Sequence, residues 1–130
     1  MSVTATTIVL RLSGALLILA AGAIHLWLYF DYFHRVHVIG ALFILNGVAA
    51  GVIGVALLLS SSGLAAWAGI AYSAATLTAF LVSVYHGLFG YTERLNGSWQ
   101  QAAAGVELAA IAVLLPLVAM SGQTAHPVRS

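Results

Sequence analysis

The 130-residue chain has no cysteine and little charge: charged residues make up 5%, against roughly 25% in soluble domains. Without cysteine there is no disulfide, iron–sulfur cluster, thiolate metal site or cysteine nucleophile, and no redox clue to compartment. The basic residues are all arginine (Arg11, Arg35, Arg94 and Arg129), and the acids are Asp31, Glu93 and Glu107. A formal net charge of +1 leaves no basic patch, so nucleic acid is excluded as a partner on electrostatic grounds. So few charged side chains cannot clothe a water-facing surface.

What is present is apolar. Hydrophobic residues make up 62% of the chain, which excludes disorder as firmly as the scarcity of charge excludes a soluble globule. A helix needs roughly 20 mostly apolar residues to cross a bilayer, and four stretches meet that length: about 7–30, 36–59, 64–89 and 99–120. Segments this apolar must be helices, because a lone strand cannot satisfy its backbone in lipid. The breaks agree. Asp31 to Arg35 interrupts the first run, Ser60-Ser61-Ser62-Gly63 is a polar turn, and Asn96-Gly97 is a turn signal before the fourth. Short connections make successive helices antiparallel neighbours. The expected fold is therefore all-α: a polytopic membrane protein forming one antiparallel four-transmembrane-helix bundle over residues 1–130, with 121–130 a frayed tail. Three helices with a fourth at the periphery is the alternative.

Ala21-Gly22-Ala23 fits a small-x-small cleavage pattern, but the apolar run continues from Ile24 to Phe30, so the first span is read as retained. Four spans put both termini on one side. Arg11, Arg129 and the terminal amine then face Arg35 and Arg94 across the membrane, a balance that favours cytoplasmic termini by the amine alone. Trp27, Tyr29, Tyr32, Tyr91 and Trp99 form an aromatic belt at the other end. Arg11 reads as an orientation anchor whose side chain reaches the headgroups.

Small residues recur at helical spacing: Gly47-Val48-Ala49-Ala50-Gly51 extended by Gly54, Gly69 to Ser73, and Gly14, Ala15, Gly22 and Ala23. Such faces let backbones approach closely, within this bundle or between copies of it. Expected partners are accordingly membrane lipid, with a homo-oligomer or a larger membrane complex as further readings. Pro116, inside the fourth span, is expected to kink it.

The polar residues collect in the half of the bundle away from the termini. His25 lies five residues before Phe30, about 7–8 Å of helix rise, and His86 lies three before Phe89. Glu107, eight residues past Trp99, is the one acid within a span, about 12 Å down. Asn46 lies about 15 Å down the second span. Each helix thus brings one polar group to one half: His25, Asn46, His86 and Glu107, with His37 at the rim and Tyr29 on the face of His25. An ionisable group in a membrane should face the bundle interior and find a partner.

Several readings stand open. The cluster can be interhelical glue, with His25 or His86 paired to Glu107 and Asn46 completing the network, in a structural or accessory subunit. It can hold a cofactor, because imidazole and carboxylate suit Zn, Cu or Fe. His25, His37, His86 and Glu107 are then the metal set, or His25 and His86 the axial pair of a haem b. It can also form a pocket for a small or lipid-like ligand, or a proton path. Nothing positions a nucleophile; Ser73, Thr76, Thr78 and Ser83 read as interhelical hydrogen-bonders, so an enzyme is the less favoured reading.

Leu10-Arg11-Leu12-Ser13-Gly14, the polar break after Phe30, and Ile39-Gly40-Ala41-Leu42-Phe43 leading to Asn46-Gly47 resemble small four-helix integral membrane proteins of actinobacteria of the DoxX-like kind. The layout resembles that group over most of the chain, the motifs over the first two spans. The group's association with membrane redox complexes implies a redox-associated role and assigns no residue.

Overall fold

A computed structural model describes residues 2–124, without the side chains of 121–124. Four helices, α1 (Val3–Asp31), α2 (Ile39–Leu59), α3 (Gly63–His86) and α4 (Ser98–Thr124), form an all-α bundle. Each is long and apolar enough to span a membrane. The outward faces are apolar too, with Leu16, Leu45, Val52 and Leu108 all exposed. A water-soluble bundle would carry charge at such positions; this is an integral, multi-pass membrane protein.

α1 packs against α2 and α4 along much of its length, and α3 packs against α4. α2 and α3 meet over a shorter stretch, and α1 and α3 lie diagonally across the bundle. The α1–α2 seam is close because its small residues sit opposite one another. A Cβ on Gly22 would collide with that of Ala50, while Leu26 and Leu19 lie over Gly47 and Gly54. Much of the small-residue pattern is therefore spent inside the bundle, with Gly51 left facing open space.

The half nearer the termini is closed and apolar around Ala15, Ile18, Ala50, Leu57, Ala66 and Leu114. Toward the other end a second cluster of Leu28, Phe33 and Ile39 forms under the connections. Phe33 sits in a 3-10 turn (Phe33–Arg35) and is tucked inward, stacked on Phe43 at 4.2 Å and edge-on to Tyr91 at 5.3 Å.

Helix ends depart from the sequence expectation for local reasons. α1 begins at Val3 rather than near Thr7, because Ser2 caps it by accepting from the Ala5 amide. α2 begins at Ile39 rather than Val36. Val38 takes φ 69° and the Ile39 amide donates to the His37 carbonyl at 2.8 Å, a tight turn that resets the chain. Gly40 admits the Phe33 carbonyl where a side chain would not fit. α3 stops at His86, not Phe89. Gly87 has φ 78°, and Leu88 and Tyr91 exchange both backbone hydrogen bonds around Phe89 and Gly90, each at positive φ. At the far end α4 passes through Pro116 and continues to Thr124, so 121–124 extend the helix. The remainder of the expected frayed tail lies outside the described residues.

Candidate functional site

The half of the bundle beyond the closed core holds a cavity of about 350 Å³. His25 and Leu28 of α1 line its back, Gln100, Ala103, Ala104 and Glu107 of α4 one side, and the 88–93 connection its roof. Its front is made by α2 and α3, the neighbouring pair in least contact. Leu42, Leu45 and Ala75 line the cavity and are also exposed on the outer surface. The cavity therefore opens sideways between α2 and α3, within the apolar belt.

Two sequence-level candidates meet here. His25 Nε2 lies 4.0 Å from Glu107 Oε1, with both residues buried. The Ala21 carbonyl lies 2.8 Å from His25 Nδ1 and can only accept, so Nδ1 carries the hydrogen and Nε2 is the nitrogen turned to the carboxyl. At 4.0 Å the contact is electrostatic rather than a hydrogen bond. Glu107 Oε1 has no hydrogen-bond partner among the described residues, and Glu107 is only 2% exposed.

Asn46 also lines the cavity but does not join that pair. Its Oδ1 accepts from the Tyr72 hydroxyl at 2.5 Å and its Nδ2 donates to Thr76 Oγ1 at 3.1 Å. Thr76 in turn donates to the Tyr72 carbonyl at 2.8 Å. This triad ties α2 to α3 where they otherwise part. Of the four hydroxyls read as interhelical hydrogen-bonders, Thr76 acts so, whereas Thr78 bonds back to the Ala74 carbonyl in its own helix. Ser73 Oγ is buried without a hydrogen-bond partner among the described residues.

Ser83 serves the roof. Its hydroxyl donates to the Tyr91 carbonyl and accepts from the Glu93 amide, each at 3.1 Å. Glu93 turns inward and is 8% exposed. Its Oε1 accepts from the Arg94 amide at 2.9 Å and from Gln100 Nε2 at 3.2 Å. Tyr91 closes the roof. Burial, with the negative charge of Glu93 adding to it, pushes its phenol up to about 12, so it remains neutral at physiological pH.

The other histidines of the described residues are elsewhere. His86 ends α3, is exposed and does not line the cavity. His37 is exposed and lies with Tyr29 and His34 around a separate shallow depression outside α2. Tyr29 faces His34, whose Nδ1 is 2.9 Å from the Tyr29 carbonyl, and does not share the cavity with His25. The metal set His25, His37, His86 and Glu107 is therefore not assembled, and no group of three His, Cys, Asp or Glu that could hold a metal occurs among the described residues. His25 and His86, read as the axial pair of a haem b, do not face one cavity: His25 is turned to Glu107, and His86 is not on the lining. The reason is topological: α1 and α3 are diagonal, and the break at Gly87 ends α3 at His86.

The sequence reading did not place Tyr72, Glu93 or Gln100 at the site. A signal for Tyr72 existed: Asn46 in mid-span needs partners, and Tyr72 lies one helical turn from Thr76 on a neighbouring helix. For Glu93 there was none, since its inward turn depends on the 88–91 hairpin. Of the residues read as an aromatic belt, Trp27 and Trp99 are exposed with rings 6.2 Å apart, and exposed Tyr32 lies 6.5 Å from half-buried Tyr91. No protein-family model matches the chain, nor does any curated protein or any solved structure.

Proposed function

We propose that this protein binds a small membrane-soluble amphiphile in the cavity, taken up from the bilayer through the gap between α2 and α3. The ligand's polar end lies in the layer of His25, Glu107, Asn46 and Tyr72. Its apolar part lies against Leu42, Phe43, Leu45 and Phe80. The observation that carries this reading is the Glu107 carboxyl, buried in a membrane helix beside open volume with one oxygen unbonded. A buried polar group left unpaired costs about 1–3 kcal/mol, more when charged. A network serving helix packing alone would close that oxygen, and here it stays unbonded in the wall of the cavity. With both termini cytoplasmic, the cavity lies in the outer half of the membrane.

Extraction of the purified protein with organic solvent, followed by mass spectrometry, tests the reading. Wild type should yield a membrane-soluble amphiphile near one equivalent per chain, and Ala104→Trp, which puts a large ring into the cavity, should lack it. Identical extracts from the two would overturn the reading.

A further inference from the structure

The charge of the lining narrows the ligand class, on the reading that the cavity is a ligand site. Two carboxyls face it, Glu107 and Glu93, and no Arg or Lys lines it among the described residues. The arginines of the described residues are remote or turned out. Arg35 and Arg94 are exposed, and Arg11 belongs to the opposite half of the bundle. Glu93 is already engaged by the Arg94 amide and Gln100. Glu107 Oε1 has no hydrogen-bond partner among the described residues. His25 is the one basic side chain on the lining, and it stands 4.0 Å off, too far to close that oxygen by a hydrogen bond.

The remaining wall is aromatic and aliphatic. Phe43, Tyr72, Phe80 and Tyr91 all contribute to it. Aromatic faces attract cations, and the attraction grows in a desolvated site. An anionic headgroup would meet two carboxyls with no basic partner but His25, and a neutral one would gain nothing from the acid. A cation with a greasy shell satisfies both parts of the lining: its charge pairs with Glu107, and its shell replaces lipid against the rings.

We infer that the cavity is a site for a lipophilic monocation of the quaternary ammonium or phosphonium type, with Glu107 as its counter-ion. Such ions carry no hydrogen-bond donor on the charged centre and are weakly hydrated, which suits a wall with few polar atoms. The volume of about 350 Å³ is within the range of pockets for drug-sized molecules, roughly 300–1,000 Å³.

The test uses three probes of nearly the same shape and different charge: tetraphenylphosphonium, tetraphenylsilane and tetraphenylborate. Binding to the full chain in zwitterionic lipid nanodiscs is measured by equilibrium dialysis. Ala104→Trp serves as the reference for partitioning into lipid. The expected result is saturable binding of the phosphonium at one per chain, weaker binding of the silane and none of the borate. Glu107→Gln should weaken the phosphonium at least about tenfold, since removing one partner of a buried ion pair is strongly destabilising, and should spare the silane. Retained silane binding also shows that the variant is folded.

Equal binding of phosphonium and silane, unchanged by Glu107→Gln but lost in Ala104→Trp, would overturn the charge assignment and leave the cavity as a ligand site. Preference for the borate would overturn it likewise. Binding of no probe beyond the Ala104→Trp reference would overturn both readings.

Discussion

Replacing Gly22 by alanine should destabilise the bundle, and the same change at Gly51 should stabilise it. Both glycines lie inside apolar helices, so both gain the backbone benefit of losing a glycine, up to about 1 kcal/mol. They differ in what a methyl group meets. At Gly22 it collides with Ala50 Cβ across the α1–α2 seam; at Gly51 nothing lies within 4 Å. Carbon atoms pack at about 3.5–4.0 Å, so relief at position 22 requires the helices to separate by on the order of 1 Å. That movement also lifts Leu26 from Gly47 and Leu19 from Gly54. A radial gap of 0.5–1 Å forfeits roughly a quarter to a half of each dispersion contact. Overpacking of this kind costs about 1–3 kcal/mol. After the backbone gain, Gly22→Ala should lose about 1 kcal/mol and Gly51→Ala should gain up to about 1 kcal/mol. Reversible unfolding in mixed micelles with increasing dodecyl sulfate, followed by circular dichroism, measures both against wild type. A Gly22→Ala protein as stable as Gly51→Ala would refute the close α1–α2 seam.

Two further outcomes follow from the site. A double-mutant cycle with Asn46→Ala and Tyr72→Phe should show a coupling of about 0.6 kcal/mol, the average for hydrogen bonds between membrane helices, and at most about 1.7 kcal/mol; independent effects would mean that the bond does not hold α2 to α3. Tyr91 should titrate near pH 12 by carbon-13 nuclear magnetic resonance of ring-labelled tyrosine. Since the fold raises this acid above its ordinary value of 10, the unfolded chain releases the proton first. The Tyr91 contribution to stability is thus present below pH 10 and lost between pH 10 and about 12; titration at the ordinary value would mean that Tyr91 does not close the roof.

The helices were legible because membrane spans are written in composition, a signal that needs no tertiary information. The start of α2 and the end of α3 were not, because each depends on a contact with another segment of the chain. Val36 to Val38 reads as the start of an apolar run, yet Phe33 turning inward forces the tight turn at Val38. Leu88-Phe89 reads as the end of the third span and belongs to a hairpin with Gly90 and Tyr91. The His25–Glu107 contact was one of two pairings that depth left open, and it formed because α1 and α4 are neighbours. The same depth argument failed for His86, because it could not know that α1 and α3 are diagonal. Asn46 was legible as a buried polar group, but its partner Tyr72 was masked by a small-residue pattern that reads as packing.

The central claim is that the cavity around Glu107 is reached from the lipid phase. A small apolar diazirine, dissolved in membranes containing the protein and activated by light, tests this directly when adducts are mapped by peptide mass spectrometry. Adducts are expected at Glu107, Tyr72 and Ala103, which are buried yet line the cavity, as well as at lipid-facing Leu45 and Leu108. None is expected at Ala15 or Ala110, which are fully buried in the closed core and do not line the cavity. Adducts confined to the outward-facing residues would contradict the account.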